Sequence, residues 1–222
     1  MSDQDRSNTT KKSTVYVALI TALAIIIGSV ILGLGGQTTP QEPVAEAAPA
    51  VELPNAGITE SNKASITFTT NQGEIVVETT PAVAPLTVNA IAALAQKNYF
   101  DNTICHRLTT AGIYVLQCGD PTGTGTGGPG FNIPDENLPQ PTENNYPAGT
   151  VAMANAGPGT SGSQFFLVYQ DTTLGPDYTI WGSVTSGLDI LQTIASAGVV
   201  DGGTDGAPLT GVTIESTKVT IS

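Results

Sequence analysis

His106 and Arg107 sit side by side in a run, residues 103–108, that is otherwise suited to a strand. His106 is the only histidine of the 222 residues. Arg107 is one of four bases between residues 63 and 222, with Lys63, Lys97 and Lys218, against thirteen acids. A single histidine, with no cluster of His, Cys and carboxylates at ligand spacing, gives no reason to expect a zinc or iron centre. Ser161 and Ser163 lie in a loop that runs into a strand, whereas a Ser–His–acid hydrolase presents its serine on a sharp strand-to-helix turn. Residues 119–130 (GDPTGTGTGGPG) have the glycines of a phosphate cradle. They lack its lysine, contain Asp120, and lead to Pro129 and Phe131 instead of a helix. What remains is one arginine beside apolar strands, with no nucleophile and no acid/base pair. Rotation about an amide bond suits such a site, because nothing covalent is made or broken. Residues 151–168 (VAMANAGPGTSGSQFFLV) add two apolar runs around a loop of Gly, Ser, Asn and Pro, which offers backbone groups and small side chains to a peptide lying across it.

The elements that must hold these residues are short. Runs 65–70 and 74–79 read as a hairpin about Asn71-Gln72-Gly73. Pro85 suits a first helical turn, and Val88, Ile91, Ala92 and Ala95 follow at helical spacing, so a helix with one buried face is expected over about 85–97. Strand-like runs recur at 103–108, 113–117, 151–154, 164–168, 178–184 and 212–221, and a second helix is expected over 188–195, with Ser186 and Asp189 spaced as a capping box. Phe165 and Phe166 alternate across their strand, so one belongs to the core and the other to a pocket; Trp181 belongs to the core. Many short strands and few helices predict a mainly β domain, a closed antiparallel barrel capped by two helices.

Before this domain the chain changes character. No charged residue lies between Lys12 and Glu42, and residues 15–34 are almost wholly apolar. Twenty helical residues span about 30 Å, the thickness of a bilayer core. The expected organisation is a cytoplasmic tail (1–12), one transmembrane helix (13–36), a flexible Pro/Ala/Glu-rich linker (37–62) and one folded domain (63–222). Arg6, Lys11 and Lys12 precede the span and only acids follow closely, which puts the N-terminus in the cytoplasm and the domain outside. Ala45-Glu46-Ala47 offers the alternative of a cleaved signal and a secreted product. A net charge of −12 argues against a nucleic-acid partner. Cys105 and Cys118 flank a segment able to fold back as a hairpin; a disulfide and two free buried thiols both fit.

Several ordered motifs between residues 63 and 222 resemble the cyclophilins, a family of peptidyl-prolyl cis/trans isomerases. They are His106-Arg107-Leu108, Tyr114 through Asp120 (YVLQCGD), the Gly/Thr loop 122–130, Asp135-Glu136-Asn137, Met153 through Pro158 (MANAGP), Gly162 through Phe166 (GSQFF) and Trp181-Gly182-Ser183-Val184. The resemblance implies an eight-stranded barrel with two helices, no cofactor, and proline-containing polypeptides as partners; the single apolar span and the acidic domain after it fit a membrane-anchored bacterial form working outside the cytoplasm. It makes Arg107 the catalytic arginine, with Gln117 orienting it. Asn155 joins them in catalysis and, with Ala154, binds the substrate backbone, while Gln164 contacts it nearby. Tyr114 takes the place of a pocket phenylalanine, and Val115, Phe166 and Leu174 complete the proline pocket. Tyr178 falls where many members carry a histidine, and His106 contributes to substrate binding as a structural hydrogen-bonder. The connection after Arg107 (Thr109-Thr110-Ala111-Gly112) is about two residues longer than in many members. Thr173 stands where some members carry the tryptophan of tight cyclosporin binding, which implies that cyclosporin binds weakly here. Two functions stay open: an isomerase, or a chaperone or scaffold that holds Pro-containing segments with little turnover. Without the resemblance, Arg107 could simply pair with an acid such as Glu136.

Overall fold

The computed structural model describes residues 52–222, so the expected tail, membrane helix and first part of the linker lie outside the described residues. Among the described residues no helix is long and apolar enough to cross a membrane. The linker expected to run to residue 62 ends earlier. Leu53 and Ala56 pack on the core, Ile58 is buried, and its backbone N–H and C=O pair with the Asn89 side chain at 2.9 and 2.8 Å. Three apolar residues in a polar stretch are enough to fasten it to the domain.

The domain begins with a hairpin, β1 (Ala64–Thr70) and β2 (Gly73–Thr79), in which β1 strictly alternates buried and half-buried residues. Helix α1 (Pro85–Gln96) follows with proline in its first turn. Eight of its twelve residues are buried, more than one face, because small Ala side chains let the sheet approach closely. Next come β3 (Thr103–Ile104), β4 (Arg107–Thr109), β5 (Val115–Cys118), β6 (Thr150–Met153), β7 (Phe165–Val168) and β8 (Ile180–Ser186). Helix α2 (Leu188–Ala197), β9 (Asp205–Gly206) and β10 (Thr213–Ile221) complete the chain. The capping box expected at Ser186 is absent. α2 starts instead from Gly187 at φ +88°, where a Cβ would lie 2.6 Å from the Glu74 carbonyl oxygen.

The strands form one antiparallel sheet in the order β3-β10-β1-β2-β8-β6-β7-β5-β4-β9. It has ten strands and two ends, where a closed eight-stranded barrel was expected. The curled sheet is joined across its seam by chain continuity: residues 103–104 pair with β10, and two residues later β4 pairs with β5. The expected strand 103–108 thus breaks at Cys105-His106 to serve both sides. Cys105 is disulfide-bonded to Cys118 of β5, thirteen residues on, so the pairing left open by the sequence is made at this break.

Strand pleating sorts side chains onto two faces. On the inner face Phe68, Phe100, Phe165 and Trp181 pack edge to face or tilted, with ring centroids 5.2–6.3 Å apart, at the centre of the main core. On the outer face of β5, β6 and β7 a second, smaller cluster forms from Val115, Tyr146, Ala152, Phe166 and Val168. Phe165 therefore faces in and Phe166 faces out.

Candidate active site

Register alone brings the site together. Arg107 of β4 lies opposite Gln117 of β5, Gln117 opposite Phe166 of β7, and Phe166 opposite Ala152 of β6, forming one row across four strands. Beside this row a cavity of about 210 Å³ is lined by Arg107, Ile113, Val115, Gln117, Ala154, Asn155, Phe166, Leu174 and Tyr178. Its floor is the apolar outer cluster and Arg107 stands at its rim. Tyr178 meets Phe166 edge to face at 5.6 Å and Tyr146 at 6.2 Å. The Tyr146 hydroxyl donates to the Gly175 or Tyr178 carbonyl, each at 3.2 Å, and accepts the Tyr178 N–H at 3.1 Å, which fixes that wall.

Tyr114 is not part of this cavity. It points to the other side of the chain, edge to face with Tyr169 at 6.0 Å, and lines a separate groove with Thr110, Gln170 and Gln192. Ile113 takes the position expected of Tyr114. The connection after Arg107 includes a bridge between Ala111 and Ile113, and β5 starts at Val115, two residues after the expected start. The available signal was alternation counted back from Gln117, which places 113, 115 and 117 on one face and 114 on the other.

Arg107 is half-buried and heavily engaged. Its Nε and Nη2 each donate to Asp205 of β9 at 2.8 Å, and Nη1 donates to the Gln117 amide oxygen at 3.3 Å. The Asp205 carboxylate raises the Arg107 pKa, burial working against it, while Arg107 lowers that of Asp205. The acid considered for this pairing, Glu136, is occupied elsewhere. It accepts the Leu86 and Thr87 N–H groups and the Thr87 hydroxyl, capping α1. Asp205 escaped the sequence reading because nothing local marks a two-residue strand 98 positions away.

A second groove of about 810 Å³ adjoins the cavity and shares Gln117, Ala154 and Asn155 with it. Gln117 Nε2 donates to Gln164 Oε1 at 2.8 Å, and Gln164 Nε2 donates to the Gly125 and Gly127 carbonyls at 3.0 and 2.9 Å. Gln164 lies in this groove, outside the pocket proper. The Asn155 side chain donates to the Asp177 carbonyl and accepts the Gly157 N–H. Its own backbone N–H and C=O have no partner among the described residues, so they are free to bind an extended chain.

The glycine loop that looked like a phosphate cradle is filled by its own acid. Asp120, fully buried, accepts the backbone N–H groups of Thr122, Thr124, Gly125 and Gly127 and the Thr122 hydroxyl at 2.6–3.1 Å, and these bonds hold its pKa well below the usual range against the cost of burial. A Cβ at Gly127 would collide with its Oδ1. His106 lies beneath this loop, with its Nε2 3.7 Å from where a Cβ on Gly125 would be, and does not line the pocket. Both ring nitrogens are buried without a partner, so the expected structural hydrogen bond is absent; burial lowers its pKa and favours the neutral ring. The Ser163 hydroxyl donates to Gly119 O and meets the Tyr99 hydroxyl, and with both His106 nitrogens unpartnered no serine–histidine pair forms among the described residues.

The site is thus a pocket with an apolar floor, an arginine at its rim and an open backbone strip beside it. The model of the family described as "Cyclophilin type peptidyl-prolyl cis-trans isomerase/CLD" matches residues 65–219. The chain belongs to the cyclophilin family. It is 45% identical over 203 residues to the probable peptidyl-prolyl cis-trans isomerase B of Mycobacterium leprae, covering 85% of this chain and 68% of that one. It is 48% identical over 179 residues to the probable isomerase B of Mycobacterium tuberculosis, covering 75% and 58%. This cyclophilin therefore spans about two thirds or less of those relatives' lengths. A Cryptosporidium parvum cyclophilin-type isomerase, solved in the presence of the dipeptide ala-pro, superposes with a TM-score of 0.61 at 30% identity over 70% of this chain and 98% of that one.

Proposed function

We propose that this cyclophilin catalyses cis/trans rotation about Xaa–Pro bonds of polypeptides outside the cytoplasm, with Arg107 stabilising the half-rotated amide. The observation that carries it is a pocket floored by the apolar side chains of Val115, Phe166 and Leu174, with the Arg107 guanidinium at its edge and no serine, cysteine, histidine or carboxylate among its described lining residues.

An amide is planar because the nitrogen lone pair is shared with the carbonyl, and rotation costs about 18–20 kcal/mol. Midway, the lone pair returns to the proline nitrogen, which becomes a better acceptor. A guanidinium aimed there binds the twisted form more tightly than either planar form, and only such differential binding speeds the step. Of the five N–H groups of Arg107, Asp205 and Gln117 engage three, leaving two for the substrate. The ring sits on Val115 and Phe166, between Ile113 and Tyr178. The preceding residue's backbone pairs with Asn155, and the remaining chain follows the groove past Gln164. Uncatalysed rotation takes tens to hundreds of seconds. Reaching milliseconds requires roughly 5.5–7 kcal/mol. One charged hydrogen bond supplies about 1.5–3 kcal/mol and each preorganised donor in a dry site about 2.7–4 kcal/mol. Ring binding and backbone pairing supply the remainder.

The extracytoplasmic part rests on the apolar stretch 15–34, on the basic residues before it, and on a disulfide pairing that suits an oxidising compartment. Thr173 is exposed, its hydroxyl accepts the Asn144 N–H, and weak cyclosporin binding follows from the lack of an indole there; calorimetry showing a tight stoichiometric complex contradicts it. The isomerase reading is tested by assaying a short Xaa–Pro peptide with wild type and Arg107→Ala. Expected is a loss of about 100-fold or more in kcat/KM for the variant. Equal rates would leave a peptide-holding chaperone in its place.

A further inference from the structure

Asp205 lies in an excursion between α2 and β10 that contributes nothing to the pocket wall. The excursion is tied at its base by Val200 N–H to Ala207 O at 2.8 Å and Leu209 N–H to Gly198 O at 2.9 Å. Its two-residue strand lies along β4, with Thr109 opposite Asp205 and Leu108 opposite Gly206, and Thr110 N–H donates to Thr204 O at 2.8 Å. The backbone of this small device is thus registered against the strand that carries Arg107, and its single charged side chain in the strand meets the guanidinium side-on.

We propose that Asp205 is a positioning residue for isomerisation, setting the plane and rotation of the Arg107 guanidinium so that its two uncommitted N–H groups face the pocket. This rests on the isomerase reading above. Arginine has many rotamers, and only a narrow set aims the fork at a rotating nitrogen; misplacement of a donor by about 1 Å can cost on the order of 100-fold. Two independent ties remove that freedom. Asp205 holds Nε and Nη2 from the solvent side, since it is 55% exposed and absent from the cavity lining. Gln117 holds Nη1 from the strand side, and is itself held by Gln164, which is fixed to the glycine loop. A carboxylate placed away from the cavity leaves the substrate edge of the guanidinium uncovered, so it restrains the donor and does not compete with the substrate for it.

The test uses Asp205→Asn and Asp205→Glu in the full chain, with Asp201→Asn, an exposed acid of the same excursion, as control. Steady-state isomerisation separates kcat from KM. The chain has two arginines, Arg6 and Arg107, so the Nε–H resonance of Arg107 is assigned by its loss in Arg107→Ala. Expected for Asp205→Asn is a fall of about 10-fold or more in kcat with KM within twofold, and faster solvent exchange of the Arg107 Nε proton; Asp205→Glu recovers part of both and Asp201→Asn matches wild type. The proposal is overturned by wild-type kcat in Asp205→Asn, by a loss confined to KM, by a rise in rate, or by an unchanged Nε–H signal. If Arg107→Ala itself retains full rate, the isomerase reading fails with it. If Arg107→Ala is inactive while Asp205→Asn is fully active, only the role of Asp205 fails.

Discussion

Arg107, Gln117 and Phe166 stand in one row because β-strands alternate, and the same alternation decides which neighbour of Val115 reaches the pocket. Ile113 lines it and Tyr114 does not. Ile113→Ala should therefore raise KM several-fold at nearly unchanged fold stability, whereas Tyr114→Ala should leave KM alone and destabilise through the lost Tyr169 contact. Titration of the two variants with a proline peptide, alongside thermal melts, distinguishes them; the reverse pattern would restore Tyr114 to the pocket. At the same scale no proton moves in the proposed reaction. His106 titrates below its ordinary value because its ring is buried, Arg107 above its own, and Asp205 below the carboxylate range. None changes charge between about pH 7.5 and 9, so kcat/KM should be level there. A bell-shaped profile measured on the peptide assay would bring His106 back into the chemistry. The site's main members were legible in the sequence through the ordered cyclophilin motifs. Ile113 was missed because a longer connection shifted the alignment, and Asp205 because its partner is distant in the chain.

The glycine loop shows how one element can imitate another. Residues 119–130 have the composition of a phosphate cradle, but their N–H groups converge on Asp120, and the resulting turn supplies the carbonyls that hold Gln164. Removing that carboxylate leaves buried donors unpaired, each worth about 1–3 kcal/mol. Asp120→Ala should lower unfolding free energy by about 3 kcal/mol or more and reduce kcat/KM through Gln164, measured by urea melts and the peptide assay. Retention of both would mean the loop holds itself. The sign of the pH effect follows from the depressed pKa: the contribution of Asp120 is complete above its unfolded value of 3.8 and is lost as pH falls toward its folded value. The elements themselves were readable where periodicity was strong, as in β1, β2, α1 and α2. The break in the strand at Cys105-His106 was not, because β-rich composition runs through it and only the two different partners, β10 and β5, reveal it. The cap of α2 was misread and that of α1 went unread for a related reason: α1 is capped by Glu136 from a distant loop and α2 follows a left-handed Gly187, neither of which a local capping pattern records.

At the scale of the described domain, the fold is a curled sheet whose seam is crossed by one continuous segment and stapled by Cys105–Cys118. A mainly β domain with two helices was legible because short β-rich runs bounded by turn residues recur along the chain, even where, as in β6 and β7, both faces are buried and alternation is lost. The strand count differed because β9 is too short to have a pattern and the seam divides one expected strand into two. The staple closes a loop of thirteen residues, for which chain entropy gives about 3 kcal/mol. Reduction, or Cys105→Ala with Cys118→Ala, should lower stability by about that amount in urea and loosen the Arg107 strand; an unchanged midpoint would show that the seam does not depend on it. The account depends most on the fork of one guanidinium acting on a rotating amide. Its most direct test is the equilibrium exchange rate between cis and trans forms of a bound Xaa–Pro peptide, followed by NMR with wild type and Arg107→Lys, since lysine keeps the charge and loses the rigid fork. The account predicts similar peptide affinity and exchange slowed by at least about 10-fold; equal exchange in the two proteins would contradict it.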